Sequence, residues 1–259
     1  MATPKATGGP ARLLLPTALL IAAACGGSGG GEPAAVRVAV AANFAATHEL
    51  LAEAFRAETG HPVQTSAGST GKLYAQVRGG APYDVFLSAD ARAPRLLEEE
   101  GLAIAGTRFA YAVGRLVLYA GDGRELSGGA AVLREGAFER LALANPELAP
   151  YGAAARQVLE RLGLWDALAD RVVRGESVAQ ALHFVESGGV ELGLVALAQV
   201  RGLAGSRWEV LAELHDPIRQ EAVLLEPGRE RPAARAYLEF LRGPAARERI
   251  AAAGYGLED

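Results

Sequence analysis

From Val36 onward, short apolar runs alternate with stretches in which apolar residues return every three or four positions. Val36–Ala41 is apolar except for Arg37, which predicts a buried parallel strand. Leu50, Leu51, Ala54 and Phe55 carry a helical period that stops at Gly60. Strand Val63–Ser66 follows, then a helix through Leu73, Tyr74 and Val77, a turn at Gly79–Tyr83 and strand Asp84–Ser88. Ala89-Asp90 opens a further helix that runs through Leu96 and Leu97 to Gly101. Strand and helix alternating at this spacing predict an α/β fold with doubly wound, mainly parallel sheets flanked by helices.

Phe109–Tyr119 is a longer extended run, able to pass from one lobe to a second. A second series follows, with strand Leu141–Ala144, helix Ala153–Leu162, a short turn at Trp165–Leu168, a stub at Val172-Val173, helix Ala179–Glu186 and strand Leu192–Val195. Trp208–Leu211 and Glu221–Leu225 read as strands, the second returning to the first lobe. The tail reads as two helices, Ala233–Leu241 and Ala245–Ala253, broken at Gly243-Pro244. The pattern thus predicts two lobes, residues 36–112 with 221–259, and residues 113–220.

The first residues follow a different rule. Lys5 and Arg12 precede the apolar stretch Leu13–Ala24, and Ala22-Ala23-Ala24 is a small-residue cleavage site, so residues 1–24 are expected to be a signal peptide. The apolar stretch is shorter than the about 20 residues that span a bilayer. Cys25, the only cysteine, follows directly, where a bacterial lipoprotein carries its lipidated residue, although Ala22 stands where leucine is more usual. Gly26–Gly31 continues as a flexible glycine-serine tether, so residues 25–35 read as a membrane anchor and spacer.

Composition narrows the partners. The chain has 26 basic and 30 acidic residues; without Lys5 and Arg12, 24 remain against 30, a formal charge of −6. An acidic chain lacks the basic face that nucleic-acid binding needs. An anionic ligand would have to be captured by local dipoles against the global field.

Candidate chemistry gathers at the strand-to-helix turns. Ala42-Asn43 ends the first strand, and Gly68-Ser69-Thr70-Gly71 ends the second and opens a helix. First-turn N–H groups have no partner inside a helix and carry its positive dipole end, so such turns suit an anion. A phosphate-binding Walker loop is excluded, because Ser66 stands where its first glycine belongs and Leu73 where its Ser/Thr belongs. A serine hydrolase lacks the Gly-x-Ser-x-Gly elbow, and the sequence identifies no base beside Ser69. His48, His61, His183 and His215 show no metal-ligand spacing. Asp84 and Asp90 read as structural acceptors, Asp90 as a helix cap; Lys72 reads as facing solvent, and Trp165 and Trp208 as packing residues.

Taken together, Val38-Ala39-Val40-Ala41-Ala42-Asn43-Phe44, Gly68–Gln76 and Gly80–Asp90 resemble, in order, the periplasmic molybdate-binding proteins of ABC transporters. The resemblance continues through Ala144-Asn145-Pro146, Pro150-Tyr151-Gly152, Leu162–Trp165 and Leu192–Val195, and spans about residues 36–256. It implies a two-lobed type II periplasmic-binding-protein fold and an extracytoplasmic receptor, not an enzyme, that delivers molybdate or tungstate to a membrane permease. It also implies a monomer and no cofactor.

The family's site falls on Ala42, Asn43, Thr70, Tyr151 and Val178, with Ser69 next to Thr70 and the register between those two left open. Ala42 and Val178 are implied to act through main-chain N–H, Thr70 through hydroxyl and N–H, and Tyr151 through its phenol. Asn43, Thr70, Tyr151 and Val178 are thus contacts to an oxyanion, not ligands of a metal atom. Many members have serine at the Asn43 position and a tyrosine where Ala196 stands; this chain resembles the subgroup whose tyrosine comes from the loop of Tyr151. The alternatives are a receptor for another tetrahedral oxyanion, such as sulfate or thiosulfate, and an exported serine hydrolase using Ser69 or Thr70.

Overall fold

A computed structural model of the chain describes Ala2 and residues 34–258. The signal peptide over 1–24, Cys25 and most of the tether lie outside the described residues. Among those described, no helix is long and apolar enough to cross a membrane.

The chain begins with β1 (Val36–Ala41), α1 (Ala45–Thr59), β2 (Val63–Gly68), α2 (Thr70–Arg78), β3 (Val85–Leu87) and α3 (Arg92–Glu99). β1 pairs in parallel with β2 on one side and β3 on the other. Its alternation sorts residues to the two faces of the sheet. Val36, Val38 and Val40 join Phe44, Leu51 and Phe55 in a core that also takes Tyr237 and Leu241. Ala39 joins Leu73, Val77 and Leu97 on the other face. Gly60 ends α1 at φ 77°, its N–H bonded to Arg56 O, a left-handed cap that glycine adopts without a Cβ clash.

The extended run Phe109–Tyr119 divides into β4 (Phe109–Gly114) and β5 (Leu116–Ala120), one in each sheet, with Arg115 between. The second lobe continues with α4 (Ala130–Glu135), β6 (Leu141–Ala144), α5 (Pro150–Arg161), β7 (Val172–Gly175), α6 (Val178–Glu186), β8 (Leu192–Ala196), α7 (Leu197–Val200) and β9 (Ser206–Glu209). The return strand β10 (Ile218–Leu224) starts three residues earlier than the apolar run at Glu221 suggests, because Arg219 and Gln220 also pair with β4. α8 (Pro232–Arg242) and α9 (Pro244–Ala252) close on the first sheet.

The two sheets have orders β2-β1-β3-β10-β4 and β7-β6-β8-β5-β9. Each combines a parallel doubly wound part with antiparallel strands. β10 runs antiparallel to β3 and β4, and β5 antiparallel to β8 and β9. Both sheets are therefore mixed, since a strand that carries the chain between lobes enters its new sheet without a helical crossover. The turns at the carboxyl ends of the parallel strands β1, β2, β6 and β7 are the places where such sheets collect ligands.

Candidate ligand-binding site

Four of these turns converge on one small cavity. Ala42, Asn43, Ser69, Thr70, Tyr151 and Val178 all line it, together with Ala41, Ala89, Ala149, Pro150 and Ser177. Its empty volume is ≈ 190 Å³. Its lining contains no Asp, Glu, Lys, Arg or His. A larger open groove of ≈ 1470 Å³ shares Thr70, Ala89, Ala149 and Pro150 with it. The groove differs in chemistry, since Asp90, Arg92, Asp216 and Arg219 give it charges of both signs.

Each turn brings its donors for a local reason. Ala42 and Asn43 open a single 3-10 turn directly after β1. Ser69 precedes α2 in extended conformation, the position of a capping residue, yet its side chain makes no cap hydrogen bond. Its Oγ is buried and has no hydrogen-bond partner. That hydroxyl is a donor held in reserve beside the cavity, and an unpaired buried polar group is costly unless a ligand satisfies it. Thr70 is the first residue of α2, and its Oγ1 accepts from the Ala89 N–H at 3.0 Å. With that lone pair engaged, its O–H proton is left to point elsewhere.

Tyr151 is buried in the first turn of α5, after Pro150, a residue preorganised to start a helix. Burial pushes its phenol well above the usual tyrosine range, reinforced by Tyr255 and opposed by hydrogen bonds from Gln220 and Asn43. The hydroxyl therefore keeps its proton throughout the neutral range. Gly114 stands directly against it; a Cβ there would overlap the phenol oxygen. Val178 opens α6, where Ser177 accepts from Gln180 N at 3.3 Å and serves as the cap.

Sequence reasoning missed the layer behind these residues. Gln220 is fully buried on β10. It accepts from Asn43 Nδ2 at 2.9 Å and Tyr111 Oη at 3.0 Å, and its Nε2 lies 3.5 Å from Tyr151 Oη. Tyr255 donates to the Asn43 carbonyl at 2.7 Å and lies 3.3 Å from Asn43 Nδ2. A lone glutamine between Ile218 and Ala222 was the visible sign of this layer, but it lies just outside the apolar run that marked the strand.

The lobes also meet around the cavity. Gly71 N donates to Leu148 O at 2.9 Å, and Lys72 pairs with Glu176 of the other lobe at 2.5 Å. Lys72 thus stays out of the cavity lining and remains exposed to solvent in this pair. Gln199 of α7 donates to Ala42 O at 3.5 Å.

The other candidates settle into structural roles. Asp84 is fully buried, which pushes its carboxyl up, but Arg37 and Arg231 outweigh this and hold it below its usual range. Asp90 accepts from Ala93 N at 2.8 Å at the start of α3 and from Ser88 Oγ at 3.0 Å. His48 is buried with Nδ1 3.2 Å from Thr65 Oγ1. Among the described residues, no group of three His, Cys, Asp or Glu is arranged to hold a metal ion. Trp165 and Trp208 pack against the second core, and Trp165 lies under Arg156 and Arg174.

Comparison with known proteins agrees with this architecture. The family model described as bacterial extracellular solute-binding protein matches residues 36–256. The molybdate-binding protein ModA of Azotobacter vinelandii is 50% identical over 231 residues, covering 88% of this chain and 92% of that protein. ModA of Rhodobacter capsulatus is 45% identical over 224 residues, covering 86% and 88%. The solved structure of an Azotobacter vinelandii periplasmic molybdate-binding protein superposes with a TM-score of 0.84 at 41% identity, over 86% of this chain and all of that one. The chain belongs to the bacterial extracellular solute-binding protein family.

Proposed function

We propose that this chain is the extracytoplasmic receptor of an ABC importer, which captures molybdate, and tungstate with it, between its lobes and hands it to a membrane permease. The observation that carries this reading is the buried, unpartnered Ser69 hydroxyl in a small cavity with no Asp, Glu, Lys, Arg or His in its lining. The high identity to two proteins named for molybdate binding supports the same ligand.

The chemistry is consistent. Molybdate carries two negative charges and no proton at neutral pH, so it takes hydrogen-bond donors and has no use for an acceptor. Hydroxyls of Ser69, Thr70 and Tyr151 and the main-chain N–H groups of Ala42, Asn43 and Val178 make such a set. Hydrogen bonds to a charged acceptor are roughly twice as strong as neutral ones. The helix ends at α2 and α6 add positive dipole without a buried cation. Phosphate, which carries a proton near neutrality, would gain from a carboxylate that this cavity does not offer. The reading is of a binding protein, because Ser69 has no base to activate it as a nucleophile. We further propose that Cys25 carries the lipid that holds a monomeric receptor at the membrane.

Calorimetric titration of the mature domain with molybdate, tungstate, sulfate and phosphate tests the ligand. One-to-one binding of the first two and none of the last two is expected. Binding of sulfate or phosphate in preference to molybdate overturns the assignment.

A further inference from the structure

The side chains behind the cavity form a chain in which each proton fixes the next. Tyr255 has one proton, and at 2.7 Å it goes to the Asn43 carbonyl. The Asn43 amide atom 3.3 Å from Tyr255 Oη must then be a donor, which identifies it as Nδ2. The same Nδ2 lies 2.9 Å from the Gln220 amide, so the Gln220 atom facing it must be the acceptor Oε1. Tyr111, whose O–H is shared between Ser88 O at 3.1 Å and Gln220 at 3.0 Å, holds Oε1 from a second side. The Gln220 amide has only one end left, the Nε2 donor, and it faces the Tyr151 oxygen at 3.5 Å. A phenol oxygen that receives a proton from Gln220 directs its own proton away from Gln220. Tyr151 lines the cavity.

We propose that Gln220 is a positioning residue whose orientation, set from Tyr255 through Asn43, aims the Tyr151 hydroxyl into the cavity as a donor to the oxyanion. The inference rests on the reading that the cavity takes an oxyanion. It goes beyond that reading by naming residues that touch no ligand and yet decide which partner the phenol offers. With Gln220 reversed, its Oε1 would take the Tyr151 proton and turn an acceptor lone pair toward the anion. The layer is rigid because its members are buried and reach it from separate parts of the chain. Gln220 sits at the one irregularity between β10 and β4, and Gly114 leaves room for the phenol beside it.

The test is a double-mutant cycle on molybdate affinity, using Gln220→Met, Tyr151→Phe and both together. Gln220→Met is expected to weaken binding about tenfold, and to add nothing once Tyr151→Phe is present. Tyr255→Phe, a milder change at a residue that does not itself line the cavity, is expected to weaken binding about threefold, again only while Tyr151 keeps its hydroxyl. It serves if Gln220→Met does not fold. Parental affinity in both Gln220→Met and Tyr255→Phe, or losses that multiply in the doubles, overturns the proposal. The same proteins are melted without ligand. If the parent binds no oxyanion, the functional reading falls; the orientation chain then stands on coupled losses in unfolding midpoint and is overturned by strictly additive ones.

Discussion

At the scale of single residues, the account rests on hydroxyls that still have a proton to give. The Ser69 hydroxyl has no partner, and Thr70 Oγ1 is engaged only as an acceptor, by Ala89 N. Ser69→Ala and Tyr151→Phe each remove one charge-assisted donor, so each should weaken molybdate binding roughly ten- to hundredfold with the fold intact; calorimetry and circular dichroism check the two halves of that statement. Binding at parental strength in both would remove these hydroxyls from the site. A second residue-scale prediction concerns stability. Burial lowers the His48 pKa to about 4, whereas in the unfolded chain it titrates near its usual value of about 6.5. Below about pH 6.5 the unfolded chain takes up a proton that the native protein refuses. The native state is therefore fully favoured above that pH and loses about 3 kcal/mol as the pH falls to 4. His48→Leu should flatten that slope in denaturant unfolding followed between pH 7 and 4.5; an unchanged slope would assign it to other groups.

At the scale of elements, strand-to-helix turns were legible from sequence because their signature is local. An apolar run, two or three small polar residues and a helical period place Asn43, Ser69-Thr70 and Val178 at the carboxyl ends of strands, and the fold brings those ends together. The layer behind them was not legible for an equally physical reason. Gln220 meets residues 69, 109 and 177 positions away, and no periodicity reports a contact made across two lobes. The open choice between Ser69 and Thr70 also became concrete only with coordinates, since sequence does not say which hydroxyl is already used. The contact between α2 and the loop before α5 supplies an element-scale prediction. A Cβ on Gly71 would stand 3.0 Å from the Leu148 carbonyl oxygen, a main-chain atom that cannot swing aside. Gly71→Ala should therefore hold the lobes apart, weaken ligand binding and leave a larger radius in X-ray scattering with ligand present. By contrast, Lys72 and Glu176 are 43% and 67% exposed. Such pairs contribute about 0–1 kcal/mol, so Lys72→Ala should shift affinity less than about fivefold, and less still at high salt. A larger loss would make this pair a principal clamp.

At the scale of the whole molecule, the mixed sheets follow from the route of the chain. The passage at Gly114-Arg115-Leu116 joins the two sheets through antiparallel strands, and β10 brings the chain back. Those crossing strands border the cavity from behind, which is why Gly114 and Gln220 both touch Tyr151. A receptor built this way is expected to bind most tightly when its lobes meet, because only then do donors from both surround the anion. Its proposed attachment is separate from its binding. A Cys25→Ser variant should bind molybdate as the parent does yet leave the membrane fraction; retention there would remove the lipid anchor. The central claim is that molybdate sits among neutral donors contributed by both lobes. Anomalous diffraction at the molybdenum edge from crystals grown with molybdate tests it most directly. The account predicts one strong peak inside the cavity, with its oxygens within hydrogen-bond reach of Ser69 Oγ, Thr70 Oγ1 and Tyr151 Oη. A peak in the charged groove beside Arg92 and Arg219, or none in either place, would contradict it.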